Sequence, residues 1–306
     1  TNEHGENEVT YLDAGKNPPE GAVFHYWLKE VPKGKVTLTI RDSSGNQLRR
    51  FESKAEQATQ SEGEPVTGEG YEAATSGEDA PTESLKLPAR QGMNRFTWNL
   101  RASNAKGIEG VDPNGAPLAL SPDMLLGPIV VPGTYTAELT VDGQTSTQQI
   151  TVEADPRVSA SAEDLQAQHD LLLQIRDKLT ETHNAVSRIY RVREQVSDWA
   201  KRVDDQEVKA AAKSLTSKLD EIGEQLYQPK ASDPRMFPSG LNDKLGALPG
   251  MISNADTRPA QQYYEVLEKL SGEIDEQIAK VNEVIATDVK AFNDLVANKN
   301  VMAVTV

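Results

Sequence analysis

Apolar residues recur at every second position through the first half of this chain and at every third and fourth position through the second half. No helical stretch alternates with the strands of the first half. These observations predict a multidomain β-then-α protein: an antiparallel β-sandwich of immunoglobulin type followed by an antiparallel three-helix bundle. The period changes at Asp155 and Pro156, which divides the chain into residues 1–155 and residues 156–306.

Within the first half, strands with one buried face follow in order. The stretch VTLTI turns Val36, Leu38 and Ile40 inward, GMNRFTWNLR turns Phe96, Trp98 and Leu100 inward, and GTYTAELTV does the same with Tyr135, Ala137, Leu139 and Val141. AVFHYWLK, residues 22–29, is apolar on both faces, which predicts a central strand or one whose second face is covered, with Tyr26 and Trp27 in reach of a neighbouring domain. Turn residues lie where hairpins need them, at DSSGN (Asp42 to Asn46) and at Asp142-Gly143 before the polar strand TSTQQITV. Six or seven short strands over some 130 residues result.

Two insertions interrupt this domain. Residues 53–84 are rich in Glu, Gly, Ser and Thr with almost no aliphatic bulk, which predicts a mobile acidic loop. Residues 102–132 carry MLLGPIVVPG at their end and are expected to pack.

In the second half, Leu172, Ile175, Leu179, Val186, Ile189, Val196, Ala200 and Val203 form one stripe of a helix from Ser161 to Val203, with Ser161 and Asp164 as a capping box. Val208, Leu215, Leu219, Ile222 and Leu226 mark a second helix. Leu267 through Val296 mark a third that begins near Pro259. Each stripe needs the other two to leave water, hence a bundle. A short helix is expected at Leu241 to Leu248, in an otherwise irregular connection.

With 32 basic and 47 acidic side chains the net charge is −15, which repels nucleic acid and anionic membrane surfaces. No apolar run approaches the roughly 20 residues of a membrane span. Having no cysteine, the chain has no disulfide, thiolate nucleophile or thiolate metal site, and export remains allowed. The opening TNEHGENEVT reads as the start of an internal fragment, with a signal peptide expected upstream.

Chemistry-bearing patterns are few. His169 and His183 share a helix but lie fourteen residues, about 21 Å, apart, too far to ligate one ion. His4 and His25 are isolated. Gly68, Gly70 and Ala73 formally match a dinucleotide fingerprint, but no strand precedes them and no helix follows. The DSSGN turn resembles half a calcium loop, yet Ser53 stands where its bidentate glutamate belongs. The sequence therefore assigns no catalytic residue, no cofactor and no metal ligand. Six aromatic residues are singled out as contacts to a partner domain or a glycan: Tyr26, Trp27, Tyr71, Trp199, Tyr263 and Tyr264.

The strings NPPEGAVFHYWLK, GMNRFTWNLR, VPGTYTAELTVDG, DPR, EDLQAQHDLLLQIRDKL, SGLNDKLGALPGMISNADTRPAQQYYEVLEKL and DVKAFNDLV occur in this order from Asn17 to Val296. The set resembles the C-terminal region of large exported bacterial proteins known as BNR-repeat or sortilin-type glycosyl hydrolases. The resemblance implies an N-terminal β-propeller in the same polypeptide and a secreted, periplasmic or cell-surface location. The chain itself holds no Ser-x-Asp-x-Gly-x-Thr-Trp propeller box, so no hydrolase residue carries over. The expectation is a non-catalytic accessory region serving domain packing, spacing or protein interaction. Two alternatives stand beside it: a carbohydrate-binding module using Trp27 and Tyr71, and a glycoside hydrolase with a carboxylate pair at the domain junction.

Overall fold

The computed structural model describes residues 21–53, 86–111, 122–229 and 238–299. Two antiparallel sheets in the N-terminal part are followed by helices in the C-terminal part. Strands β1 (Ala22–Leu28) and β4 (Gly92–Trp98) form a two-stranded ribbon. The second sheet has the order β3 (Gln47–Glu52), β2 (Thr37–Arg41), β5 (Gly133–Val141) and β6 (Gln144–Val152).

The inward residues read from the alternation are inward. Val36, Leu38, Ile40, Phe96, Trp98, Tyr135 and Ala137 are all buried, while Leu139 and Val141 are partly so. The two sheets meet through rings: Phe51 of β3 lies edge-on to Phe96 of β4 at 4.8 Å, and Trp98 lies edge-on to Tyr135 of β5 at 6.1 Å. Such edge-to-face pairs add about 0.5–1.5 kcal/mol each to the area they bury. Trp98 also donates its indole N–H to the Arg101 carbonyl at 2.9 Å, which satisfies the ring's one polar atom. Strand β4 stops at Trp98, earlier than its alternation predicts, because Leu100 takes a φ of 56° and the chain turns away.

Both predicted hairpin turns are present. The Asp42 carboxylate accepts from the Ser44 and Asn46 amides at 2.9 and 2.8 Å, closing the β2–β3 turn. Asp142 and Gly143, at φ 46° and 83°, make the β5–β6 turn with positive φ at both central residues, as a type I′ hairpin requires.

Helix α1 (Ala162–Arg202) starts at its expected cap, where Ser161 Oγ accepts from the Asp164 amide. Its 41 residues span about 62 Å. Helix α2 (Gln206–Leu226) is capped by Asp205, which accepts from the Glu207 and Val208 amides. Two short helices follow, α3 (Leu241–Gly246) and α4 (Leu248–Ile252). Helix α5 (Gln261–Val284) then continues through a π turn at Ile285–Val289 into α6 (Lys290–Asn298). Ion pairs show the directions. Asp164–Arg258 and Lys178–Asp275 match the start of α1 to the start of α5, so these run parallel. Arg193–Asp220 and Lys218–Asp288 show that α2 runs against both. The apolar stripes of α1, α2, α5 and α6 converge on one core that includes Ile175, Ile189, Leu219, Leu226 and Ile274, each fully buried.

Candidate functional site

The strand residues 22–28 alternate as any strand does, so adjacent Tyr26 and Trp27 point to opposite faces. Tyr26 points inward with Phe24 and Leu28 and packs against the sheet core. Its hydroxyl donates to the Pro88 carbonyl, and burial pushes the phenol well above its ordinary range. Trp27 points outward and is 68 % exposed. The covering expected over this face is therefore not supplied by any described residue. Sequence alternation alone could not reveal this, because both faces of the strand are apolar.

The outer face of the ribbon is built from three cross-strand pairs: Val23 with Thr97, His25 with Arg95, and Trp27 with Met93. Met93 is also exposed. Beneath the Trp27 ring lies Gly92, where a β-carbon would stand 3.8 Å from Cη2 and Cζ3 of the indole. The absence of a side chain there lets the indole lie against the strand. Below the outer face, Asn94 is fully buried and satisfied, bonding its amide to the Arg90 and Gly92 carbonyls and accepting from the Arg90 amide. That polar inward residue breaks the alternation, and its sequence gives no sign of its role.

The other singled-out aromatics are not gathered with Trp27. Trp199 is half-buried near the C-terminal end of α1, with the Arg202 guanidinium 6.0 Å above its ring. Tyr263 and Tyr264 are half-buried at the start of α5, packed on the helical core. Because α5 starts beside Asp164, these tyrosines and Trp199 sit toward opposite ends of α1. Tyr71 lies outside the described residues.

A second arrangement went unread in the sequence: the junction between the β and α parts. Residues 103–109 leave the sheets and run along α1. The Ser103 carbonyl accepts from Arg176, the Lys106 amide donates to Thr180 Oγ1, and the Glu109 amide donates to Ser187 Oγ. Six residues of extended chain cover about 20 Å and fifteen residues of helix about 22 Å, so the two rise in step. Ala105, Ile108 and Leu125, all from the N-terminal part, are buried in the helical core.

Both helix histidines serve this junction. His183 Nδ1 lies 2.7 Å from the Lys106 carbonyl, and His169 Nδ1 lies 2.9 Å from the Ile129 carbonyl. A carbonyl can only accept, so Nδ1 carries the proton in each ring. Burial lowers the pKa of both imidazoles, and for His183 nothing but the Lys106 hydrogen bond opposes it. His183 Nε2 is buried without a partner. The sequence did contain a signal, since a spacing of fourteen brings two residues to one helix face. What it could not show was the strand segment lying across that face.

The acids at the junction are paired on its surface, Glu109 with Arg191 at 2.9 Å and Asp177 with Arg176 at 2.6 Å. Among the described residues no group of three or more histidine, aspartate or glutamate side chains is placed to hold a metal ion, and no helix is long and apolar enough to cross a membrane. Comparison with protein-family models, with curated proteins and with solved structures finds no match to this chain.

Proposed function

We propose that this chain is a non-catalytic accessory region of a large exported protein of the BNR-repeat, glycosyl hydrolase-like kind. In this reading its two sheets are an immunoglobulin-like sandwich, its long helices a three-helix bundle, and the pair a rigid spacer carrying an N-terminal propeller of the same polypeptide. The observation that supports it best is the junction, where Ala105, Ile108 and Leu125 enter the helical core and two histidines hold carbonyls of the sheet part. Burying a side chain such as Ile108 contributes about 1.5–3 kcal/mol, enough to hold two units in one orientation. Apolar filling at this place, with its acids paired to arginines outside, favours the accessory reading over a hydrolase whose carboxylate pair faces a cleft there. The family resemblance supports a secreted, periplasmic or cell-surface location.

The test is to assay this chain and a longer polypeptide carrying the propeller side by side against glycoside substrates. Turnover is expected to require the propeller. Hydrolysis by the isolated chain at a comparable rate overturns the proposal.

The exposed indole on β1 favours a second role for the same region, carbohydrate binding. A tryptophan two-thirds exposed on a regular strand leaves a large apolar ring in water, which is costly unless something stacks on it. A glycan array probed with this chain is expected to give signals that Trp27→Ala removes; a silent array leaves the spacer role alone.

A further inference from the structure

We propose that the outer face of the β1–β4 ribbon binds an acidic polysaccharide, with Trp27 stacking on one sugar ring and the His25–Arg95 pair holding the carboxylate of the next. This rests on the carbohydrate-binding reading of that face and names its ligand class.

The platform is built by backbone as well as side chain. Trp27 lies beside Gly92, so one side of its ring faces a strand without a side chain and the ring remains 68 % exposed. One pair further along the ribbon, the face carries His25 opposite Arg95. Two residues of strand advance about 6.7 Å, close to the span of one ring in an extended saccharide chain. Arg95 is half-buried and already engaged within the chain, so its place is set before a ligand arrives. Arginine is the side chain best suited to hold a carboxylate by two parallel hydrogen bonds.

Charge points the same way. The whole chain carries 47 acids against 32 bases, yet the six side chains of this face include no acid. A local field opposite in sign to the molecule's own favours an anionic ligand at this place and no other on the ribbon.

Size argues against a protein occupant. Two strands of seven residues present roughly 230 Å² of sheet, well below the roughly 800 Å² per partner of a stable protein interface. A second copy meeting this face with its own would set arginine and histidine against arginine and histidine. An extended saccharide, one ring wide, fits a two-stranded ribbon.

The experiment titrates the whole chain with an oligogalacturonate and with a neutral xylo-oligosaccharide of equal length, by calorimetry and tryptophan fluorescence, at low and high salt. The acidic oligomer is expected to bind at least about tenfold more tightly than the neutral one, a difference that salt reduces. Trp27→Ala, at an exposed position, is expected to weaken both by about tenfold or more, whereas His25→Gln with Arg95→Gln removes only the preference for acid. Equal binding of both oligomers, lost in Trp27→Ala, overturns the acidic specificity and leaves carbohydrate binding standing. Absence of binding by either overturns both. Binding that survives Trp27→Ala, or self-association in sedimentation that the same substitution abolishes, places the occupant elsewhere or makes it a second copy, and overturns the proposal.

Discussion

His183 has one ring nitrogen bonded to the Lys106 carbonyl and the other buried without a partner. Protonation would place both a charge and an unpaired N–H in the core, so the folded chain holds the ring neutral and its pKa lies below the ordinary value of about 6.5. The unfolded chain then binds the extra proton first. The stability tied to a neutral His183 is complete above about pH 6.5 and is lost as the pH falls from there through the lowered folded value. Urea unfolding of the whole chain from about pH 7.5 to about pH 5 is expected to show this loss. The variant His183→Asn retains a donor near the Nδ1 position and does not titrate, so its profile should be flatter; identical slopes would sink this account. The carboxylates lowered by ion pairing, such as Asp204 and Asp288, lose their contribution only at far lower pH, and so leave this window clear. The tryptophans make a second contrast at this scale. Trp98, fully buried between the sheets, is expected to cost about 3–5 kcal/mol on replacement by alanine. The same change at exposed Trp27 should stay within about 0.5 kcal/mol. Chemical denaturation of the two variants side by side measures both.

Among the elements, α1 joins everything else in the described structure. One face packs on α2 and α5, while its histidines, Thr180 and Ser187 receive residues 103–109 and Ile129 from the sheet part. Its first turn depends on Ser161, whose hydroxyl accepts from the Asp164 amide, and on the Arg258 ion pair to Asp164 that ties this end to the start of α5. Loss of the cap in Ser161→Ala is expected to lower stability by about 1 kcal/mol, read as a shift in the denaturation midpoint. The ion pair is surface-exposed, so its removal should matter less than the cap. At the other end of the chain the π turn at Ile285–Val289 inserts an extra residue into the third long helix, and Lys218 of α2 pairs with Asp288 within it. Periodicity alone reads Leu267 to Val296 as one unbroken stripe, because a single extra residue shifts later positions by too small an angle to interrupt the pattern.

For the whole molecule, the junction decides whether two parts behave as one. With Ile108 and Leu125 inside the helical core, unfolding of the helices removes the support of the loop that leaves the sheets. Calorimetry of the intact chain is accordingly expected to show a single transition. Ile108→Asp puts a charge into that core and should separate the trace into two transitions, the sheet part and the helices melting apart. Two transitions already present in the unaltered chain would mean the parts are coupled too weakly to serve as a rigid spacer.

Composition and period by themselves determined the order of β and α parts, the inward sets on β2, β4 and β5, the caps at Ser161 and both hairpin turns. Each of these follows from forces acting within a few residues: side-chain alternation, amide satisfaction at helix ends, and the positive φ that Gly143 tolerates. Only the tertiary structure decided the rest. Which of Tyr26 and Trp27 would be covered depends on which face meets the other sheet, and an apolar strand with two similar faces offers no local preference. Likewise, His169 and His183 became clamps because a segment some seventy residues away in sequence was laid along their helix, a contact made by distant parts of the chain that no local pattern encodes.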